Sequence, residues 1–182
     1  MLDSILNNLR VISLPTKTDF RGINTREVAL IEGSAGWGEF SPFIEYNEKE
    51  SIPWLISAIE GATQPRAKAT RKYIDINATL PAVNTRAEVA SILSWYPGAT
   101  TVKIKVGSGT EKDLARIKFV NEILPDAALR LDVNGTWGVE DALEFVYAFY
   151  DSFDEDLLQY IEQPCATLDE LRELKAACMV PV

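Results

Sequence analysis

The sequence predicts an α/β protein: a partial (β/α) barrel of about four βα units and the start of a fifth strand, preceded by a small α+β domain. From residue 73 onward, short strand patterns alternate with longer helix patterns. Such alternation is typical of a parallel sheet with right-handed crossovers. A doubly wound sheet is the competing closure, but the turn after the first strand, TLPAVN, lacks the pattern G-x-G-x-x-G. The barrel is therefore the better prediction.

Four repeat units can be followed along residues 73–182. The predicted strands are 73–80, 101–107, 128–135 and 157–164, and the predicted helices are 84–96, 108–124, 139–151 and 167–179. Thr85 and Thr167 each stand three residues before a glutamate, the capping-box pattern that opens a helix, and a further helix is predicted to open at Thr110 with Asp113 three residues on. The final residues, VPV, fall where a fifth strand would begin. Because a complete barrel takes roughly 250 residues, we expect residues 73–182 to form about half of one.

Residues 1–72 differ from these repeats and are predicted to form a separate α+β domain. Short strands are predicted at 9–15, 26–32 and 35–43, accompanied by turn glycines, and a helix is predicted at 50–61. The segment 61–72 is polar and holds a glycine and a proline, so we interpret it as a linker.

The composition argues against several kinds of partner and compartment. The chain of 182 residues has a net charge of -9 and no basic run, so we expect neither nucleic acid nor an anionic membrane as a partner. No segment is apolar over the ~20 residues that a membrane span needs, and the N-terminus lacks the pattern of a secretory signal. Cys165 and Cys178 lack CxxC spacing and fit free thiols in a reducing, cytoplasmic compartment.

The chain contains no histidine, which limits the chemistry available to it. Catalysis of the Ser-His-Asp or Cys-His kind is excluded within this chain, as is every metal site that needs imidazole. Acid-base chemistry must come from Lys, Asp, Glu, Tyr or Cys. A metal must be held by oxygen, which favours magnesium or manganese.

Charged side chains stand at the C-terminal ends of three consecutive predicted barrel strands. Lys103 and Lys105 lie on one face of the second strand, Asp132 and Asn134 on one face of the third, and Glu162 near the end of the fourth. In barrel enzymes this rim is where the active site is built. If the shared face points inward, two ammonium groups and two carboxylates converge on one pocket.

This set of groups fits one class of reaction. A divalent cation held by Asp132 and Glu162 would favour the neutral, basic form of a neighbouring lysine. A base beside a hard Lewis acid suits removal of a proton α to a carboxylate while the metal stabilises the enediolate. Simpler interpretations stay open, because KxK is common on solvated strands and strand-end carboxylates often cap helices. Asn134 could serve only the turn before Gly135, and Arg130 could pair with a rim carboxylate without taking part in chemistry.

The strand-end motifs resemble those of the enolase superfamily, which uses Lys or His bases with magnesium. Within it, the chain is similar to the o-succinylbenzoate synthase family in its actinobacterial form. The similar segments are FRGINTRE (20–27), AGWGEFSPFIEY (35–46), NATLPA (77–82), VKIKVG (102–107), RLDVNG (130–135) and YIEQPC (160–165).

The resemblance implies a function and a role for each candidate residue. The reaction would be dehydration of a cyclohexadiene carboxylate that bears a succinyl group, giving an aromatic product for menaquinone biosynthesis. Lys105 would remove the α-proton, Lys103 would stabilise charge and tune Lys105, and Asp132 and Glu162 would bind Mg²⁺, with Mn²⁺ as the alternative ion. Arg21 is the candidate for binding a substrate carboxylate, and Asn134 is a further candidate for binding the substrate. Residues 1–72 would be the capping domain that covers the barrel mouth and helps to select the substrate.

The family pattern also requires groups that this chain does not show. A third carboxylate ligand at the end of strand five and a lysine on strand six would both fall beyond Val182. We therefore expect the chain by itself to be inactive and to need the C-terminal half of a barrel as its partner. Two alternatives stay open: another enzyme of the superfamily, such as an N-acylamino acid racemase, dipeptide epimerase or muconate-cycloisomerase-like enzyme, or a catalytically silent fragment.

Overall fold

The computed structural model of the chain describes residues 2–20 and 22–182. The chain forms two compact units, Met1–Tyr73 and Ile74–Val182. The first holds a three-stranded antiparallel sheet, and the second holds a four-stranded parallel sheet whose strands alternate with helices. The predicted α/β class, with an α+β unit before a partial barrel, is confirmed.

The first unit contains two helices and three strands: α1 (Leu2–Asn7), β1 (Leu9–Phe20), β2 (Ile23–Gly33), β3 (Gly36–Phe40) and α2 (Glu48–Thr63). The strands pair in the order β1-β2-β3. α1 was not predicted, and β1 and β2 are longer than expected because they pair with each other almost to the turn between them. α2 begins at Glu48 because Asn47 and Glu50 form a capping box that the sequence reading missed.

Glycines let α2 approach the antiparallel sheet closely. The small core of this unit is formed by Ile31, Ala58 and Ala62. A Cβ atom on Gly38 would overlap the carbonyl oxygen of Ala58, and one on Gly33 would overlap that of Ala62. The two glycines therefore meet the helix backbone directly, which explains their presence inside strands.

The second unit contains four βα pairs: β4 (Ala78–Leu80), α3 (Arg86–Leu93), β5 (Thr101–Lys105), α4 (Thr110–Ile123), β6 (Ala128–Asp132), α5 (Val139–Ser152), β7 (Leu158–Glu162) and α6 (Leu168–Ala177). A short 3-10 helix, Glu155–Leu157, precedes β7. The strands pair in the order β4-β5-β6-β7, all in parallel.

The first barrel strand is much shorter than predicted. Residues 73–77 are not in a strand, and Ile74 and Ile76 are 72% and 71% exposed. β4 pairs with β5 from Ala78 opposite Val102, and β5 begins at Thr101. Residues 73–76 therefore have no β5 residues opposite them, and the alternating pattern of 73–77 does not become sheet.

One face of the parallel sheet carries the apolar core. Its strand residues, all buried, are Ala78, Leu80, Val102, Ile104, Leu129, Leu131, Leu158 and Ile161. Side chains from the helices pack in the same cluster, among them Val89, Ile117, Phe145 and Phe149. Because side chains alternate along a strand, the other face is left to Lys103, Lys105, Arg130 and Asp132.

The helix caps follow the sequence prediction in two of three cases. Thr85 with Glu88 and Thr167 with Glu170 form capping boxes at α3 and α6. α4 does begin at Thr110, but Gly109 is its N-cap and makes no side-chain cap. After α6, the amide of Ile161 donates to the carbonyl of Pro181 at 2.9 Å, so the residues that follow α6 lie beside β7.

No helix formed by residues 2–20 or 22–182 has both the length and the apolar composition that a membrane span requires.

Candidate active site

The candidate residues are the last residues of three neighbouring strands. β5 ends at Lys105, β6 at Asp132 and β7 at Glu162. In the sheet register Lys105 lies opposite Asp132, and Asp132 lies opposite Glu162, so the three form one row across the rim. Lys103 and Arg130 are partners in the row beneath. All of these residues share the face opposite the apolar core.

An irregularity in the sheet brings Glu162 into this row. Leu129 pairs with Leu158, but Arg130 pairs with Tyr160, so β7 holds one extra residue, Gln159, between the two positions. If β7 instead continued regularly from Leu158 with Gln159 paired, Glu162 would lie one position out of register with Asp132 and would point to the opposite face. The bulge therefore places the two carboxylates side by side.

The four charged side chains make direct contacts. The ammonium nitrogen of Lys103 lies 3.0 Å from Oδ2 of Asp132 and 2.8 Å from Oε1 of Glu162. The nitrogen of Lys105 lies 3.5 Å from Oδ1 of Asp132. Asp132 thus contacts one lysine with each carboxylate oxygen. Its side chain is 11% exposed, against 41% for Glu162, so Asp132 is the enclosed centre of the cluster.

The electrostatic balance at Lys103 favours its charged form. Partial burial opposes the charge, but hydrogen bonds to Glu162 and Asp132, together with their negative charges, outweigh that effect and raise the pKa of Lys103. Lys103 therefore places a positive charge in contact with both carboxylates.

Main-chain groups beyond the strands hold the acidic residues in place. The amide of Asn134 donates to Oδ1 of Asp132 at 3.1 Å, and the amide of Val133 donates to the carbonyl of Glu162 at 3.2 Å. Asn134 and Gln163 both have positive φ angles, of 55° and 45°, so the chain turns sharply directly after the rim. β6 and β7 therefore end at Asp132 and Glu162, directly before these turns.

The other predicted residues have different outcomes. The main-chain amide of Asn134 bonds to Asp132. The Asn134 side chain is exposed, and its role in substrate binding stays a prediction. Arg21 lies outside the described residues. Among the described residues, Arg130 bonds no carboxylate: it donates to the amide oxygens of Gln159 at 2.8 Å and Asn77 at 3.0 Å.

Sequence reasoning missed a buried ion pair next to the rim, between Asp113 and Arg116 on α4. The sequence pattern gives Asp113 a role only at the start of the helix that opens at Thr110, and it gives Arg116 none. The available signal was their i,i+3 spacing on the apolar side of the helix, which predicts a pair but not its burial.

The donor set fits a hard cation in part. Oδ2 of Asp132 and Oε1 of Glu162 converge on one positively charged nitrogen, which is the arrangement that two oxygen ligands of a divalent ion need. Across the described part of the chain, no three acidic, cysteine or histidine side chains gather as a metal-binding group. The described residues therefore offer two protein ligands, both carboxylates.

Family models match both units of the chain. The description "Enolase N-terminal domain-like" matches residues 11–62, and "Enolase C-terminal domain-like" matches residues 86–182. The second match covers more than half of the chain and includes all four rim residues. The chain belongs to the enolase superfamily.

Several curated relatives of this chain share the same name. A protein of Mycolicibacterium smegmatis named o-succinylbenzoate synthase is 46% identical over 184 aligned positions, which cover 100% of this chain and 56% of the relative. A protein of Mycobacterium tuberculosis with the same name is 45% identical, with 55% of its length covered. The chain thus spans little more than half the length of these enolase-superfamily relatives.

Solved structures share the fold. An o-succinylbenzoate synthase from Thermosynechococcus elongatus BP-1, complexed with magnesium in its active site, aligns with a TM-score of 0.62 at 20% identity, covering 94% of this chain and 66% of its own. A mandelate racemase/muconate lactonizing protein from Herpetosiphon aurantiacus aligns with a TM-score of 0.72 at 18% identity, covering 92% of this chain and 63% of its own. At these identities, both confirm the enolase-superfamily fold.

Proposed function

We propose that this chain carries the α-proton base and two metal ligands of an o-succinylbenzoate synthase. The reaction is dehydration of 2-succinyl-6-hydroxy-2,4-cyclohexadiene-1-carboxylate to 2-succinylbenzoate in menaquinone biosynthesis. The observation that carries the proposal is the single rim cluster of Lys103, Lys105, Asp132 and Glu162 on three adjacent parallel strands. The names of the curated relatives support the choice of this reaction among those of the superfamily.

The residues divide the chemistry between them. Lys105 accepts the proton from the carbon next to the substrate carboxylate, and the same proton leaves with the departing hydroxyl group as water. The ring thereby becomes aromatic with no net change in oxidation state. Lys103, at the same rim, stabilises the negative charge that develops on the substrate.

Asp132 and Glu162 would hold Mg²⁺, with Mn²⁺ as the alternative ion. A bound divalent ion supplies positive charge for the substrate carboxylate as negative charge develops there. Full activity is proposed to require further ligands from a second half-barrel, because the described residues offer only two carboxylates. The proposed location is the cytoplasm, which the free thiols of Cys165 and Cys178 support.

The test joins this chain to the part of the M. smegmatis relative that it does not cover. We expect the chimera to dehydrate the substrate in the presence of Mg²⁺. Lys105→Ala should abolish turnover, because removal of a general base costs at least roughly 100-fold in rate. Mn²⁺ should still bind to this variant, because Asp132 and Glu162 are unchanged. Lys118→Ala, at an exposed position on α4, is the matched control and should leave turnover unchanged.

The same chimera separates the alternatives. Racemisation of an N-acylamino acid or epimerisation of a dipeptide without dehydration would favour another superfamily enzyme. Mn²⁺ binding with no turnover of any of these substrates would favour a catalytically silent chain. Full dehydration by the Lys105→Ala chimera would rule out the proposed base.

A further inference from the structure

The buried ion pair of α4 lies directly beside the strand end that carries Lys105. Nη1 of Arg116 is 2.7 Å from Oδ1 of Asp113, and neither side chain has any exposed surface. Burying two charges is costly unless further hydrogen bonds satisfy them. The groups that form hydrogen bonds with this pair therefore indicate which part of the structure the pair holds in place.

Both members of the pair bind the main chain around Lys105. Nη1 of Arg116 donates to the carbonyl of Lys105 at 2.8 Å. Oδ2 of Asp113 accepts from the amides of Gly107 and Ser108 at 2.8 and 2.9 Å. The main chain is thus held at Lys105 and at the second and third residues beyond it, where the chain leaves β5.

Arg116 also ties this strand end to the neighbouring loop. Its Nε donates to the carbonyl of Val83 at 2.6 Å, and its Nη2 donates to the side-chain oxygen of Asn84 at 3.4 Å. Both residues belong to the loop that follows β4. One guanidinium therefore fixes two consecutive strand ends relative to each other.

We propose that Asp113 and Arg116 are positioning residues that set the placement of Lys105 for proton transfer. The inference rests on the proposed role of Lys105 as the base. The pair is neutral as a unit and bonds the carbonyl of Lys105, so it acts on the position of the lysine through the backbone. Misplacement of a reacting group by about 1 Å can cost 100-fold in rate, so such a support matters at this strand end.

The first test uses the unmodified chain and amide hydrogen exchange. Gly107 and Ser108 are exposed residues, and Asp113 accepts from both of their amides. We expect these two amides to exchange as slowly as those of β5. Exchange as fast as that of the exposed amide of Gly98, in the turn before β5, would overturn the proposal.

The second test compares lysine labelling in variants of the 182-residue chain. With trace acetic anhydride and mass spectrometry, we expect Arg116→Met to change the labelling of Lys105 relative to Lys103 by about threefold or more, because local opening frees the strand end. Arg116→Lys should restore part of the original ratio, since a lysine can still donate to one of the oxygens. The matched control is Arg172→Met, which breaks another i,i+3 Asp–Arg pair, exposed on α6, and should leave the ratio unchanged.

A second variant covers the case in which Arg116→Met does not fold. The double variant Asp113→Leu with Arg116→Met removes both charges and leaves no unpaired charge in the interior. An unchanged labelling ratio in a folded variant, even with a lower Tm, would show a purely structural role and overturn the proposal. If neither variant folds, the exchange rates of the Gly107 and Ser108 amides decide.

Activity measurements in the chimera separate this inference from the proposed function. If both hold, Arg116→Met lowers kcat by about 100-fold and leaves KM nearly unchanged, because substrate binding does not depend on the placement of the base. If the unmodified chimera is inactive while the labelling ratio still changes, the proposed function fails and the positioning of Lys105 stands.

Discussion

The ammonium group of Lys103 lies 3.0 Å from Oδ2 of Asp132, and it also lies 2.8 Å from Glu162. One lysine therefore contacts both carboxylates that are proposed to bind a metal ion. The ammonium group and a divalent cation would compete for the same oxygens. Metal affinity and the charge of Lys103 are thus linked in this site.

Removing the charge of Lys103 should strengthen metal binding. Lys103→Met removes the cation that contacts both Asp132 and Glu162. We therefore expect the Kd for Mn²⁺, measured by electron paramagnetic resonance, to fall about tenfold. Lys105→Met should have a smaller effect, because Lys105 makes one contact at 3.5 Å. Lys118→Met controls for the loss of one positive charge far from the rim. Weaker Mn²⁺ binding in Lys103→Met would contradict this competition.

Two glycines of the first unit should respond in opposite ways to alanine. Gly38→Ala places a methyl group against the carbonyl of Ala58, so we expect a loss of about 1–3 kcal/mol in the free energy of unfolding from overpacking. Gly61, inside α2, has only ordinary contacts at 3.6 Å and beyond, so Gly61→Ala should stabilise by about 0.5–1 kcal/mol. Urea denaturation monitored by circular dichroism measures both. Equal effects of the two substitutions would contradict the close approach of α2 to β3.

The thiol of Cys165 should be unreactive in the folded chain. Burial raises its pKa, and the negative charges of Glu170 and Glu173 add to this, so little thiolate is present near neutral pH. We expect a disulfide reagent such as DTNB to react with Cys165 at least about tenfold more slowly than with half-buried Cys178. The Cys178→Ser variant isolates Cys165, and its thiol should become reactive only when urea unfolds the chain. Rapid labelling of folded Cys178→Ser would disprove the burial.

The capping box of α6 should lose its stabilising effect in acid. The hydrogen bond from the Thr167 hydroxyl, with main-chain bonds from Thr167 and Ala166, lowers the pKa of Glu170 below 4.5. Because the folded pKa is below the unfolded value, the contribution is present above about pH 4.5 and disappears as the pH falls through the lower folded value. Glu170→Gln should therefore lower Tm at pH 7 but not at pH 3.

Glu173→Gln provides the matched control for this pH dependence, because Glu173 is exposed on the same helix and lies outside the capping box. Its difference in Tm from the unmodified chain should not follow the pattern of Glu170→Gln. A constant difference for Glu170→Gln between pH 7 and pH 3 would show that ionisation of Glu170 does not support the cap.

Much of the fold could be predicted because its signals are local. Alternation along β5 and β6 placed Lys103, Lys105 and Asp132 on one face, and the strands end at Lys105 and Asp132 as the rim argument required. Thr85 and Thr167 marked the starts of α3 and α6 for the same reason, since a capping box spans only four residues.

The errors concern pairing between segments. The pattern of residues 73–77 is that of a strand, but β5 begins at Thr101 and has no residues opposite 73–76. The burial of Asp113 and Arg116 depends on the loops after β4 and β5 meeting above α4, and their spacing along one helix carries no information about those loops. Such contacts join residues far apart in sequence, so local patterns cannot predict them.

The sequence by itself determined the alternation of strands and helices in the second unit, the faces of β5 and β6, and the residue types available for chemistry. Only the tertiary structure decided that Glu162 stands beside Asp132, because the register depends on one extra residue, Gln159, in β7. It also decided that the ammonium group of Lys103 reaches Glu162, 59 residues away in the chain. Register and distance between strands follow from the packing of the whole sheet, whereas alternation follows from the geometry of a single strand.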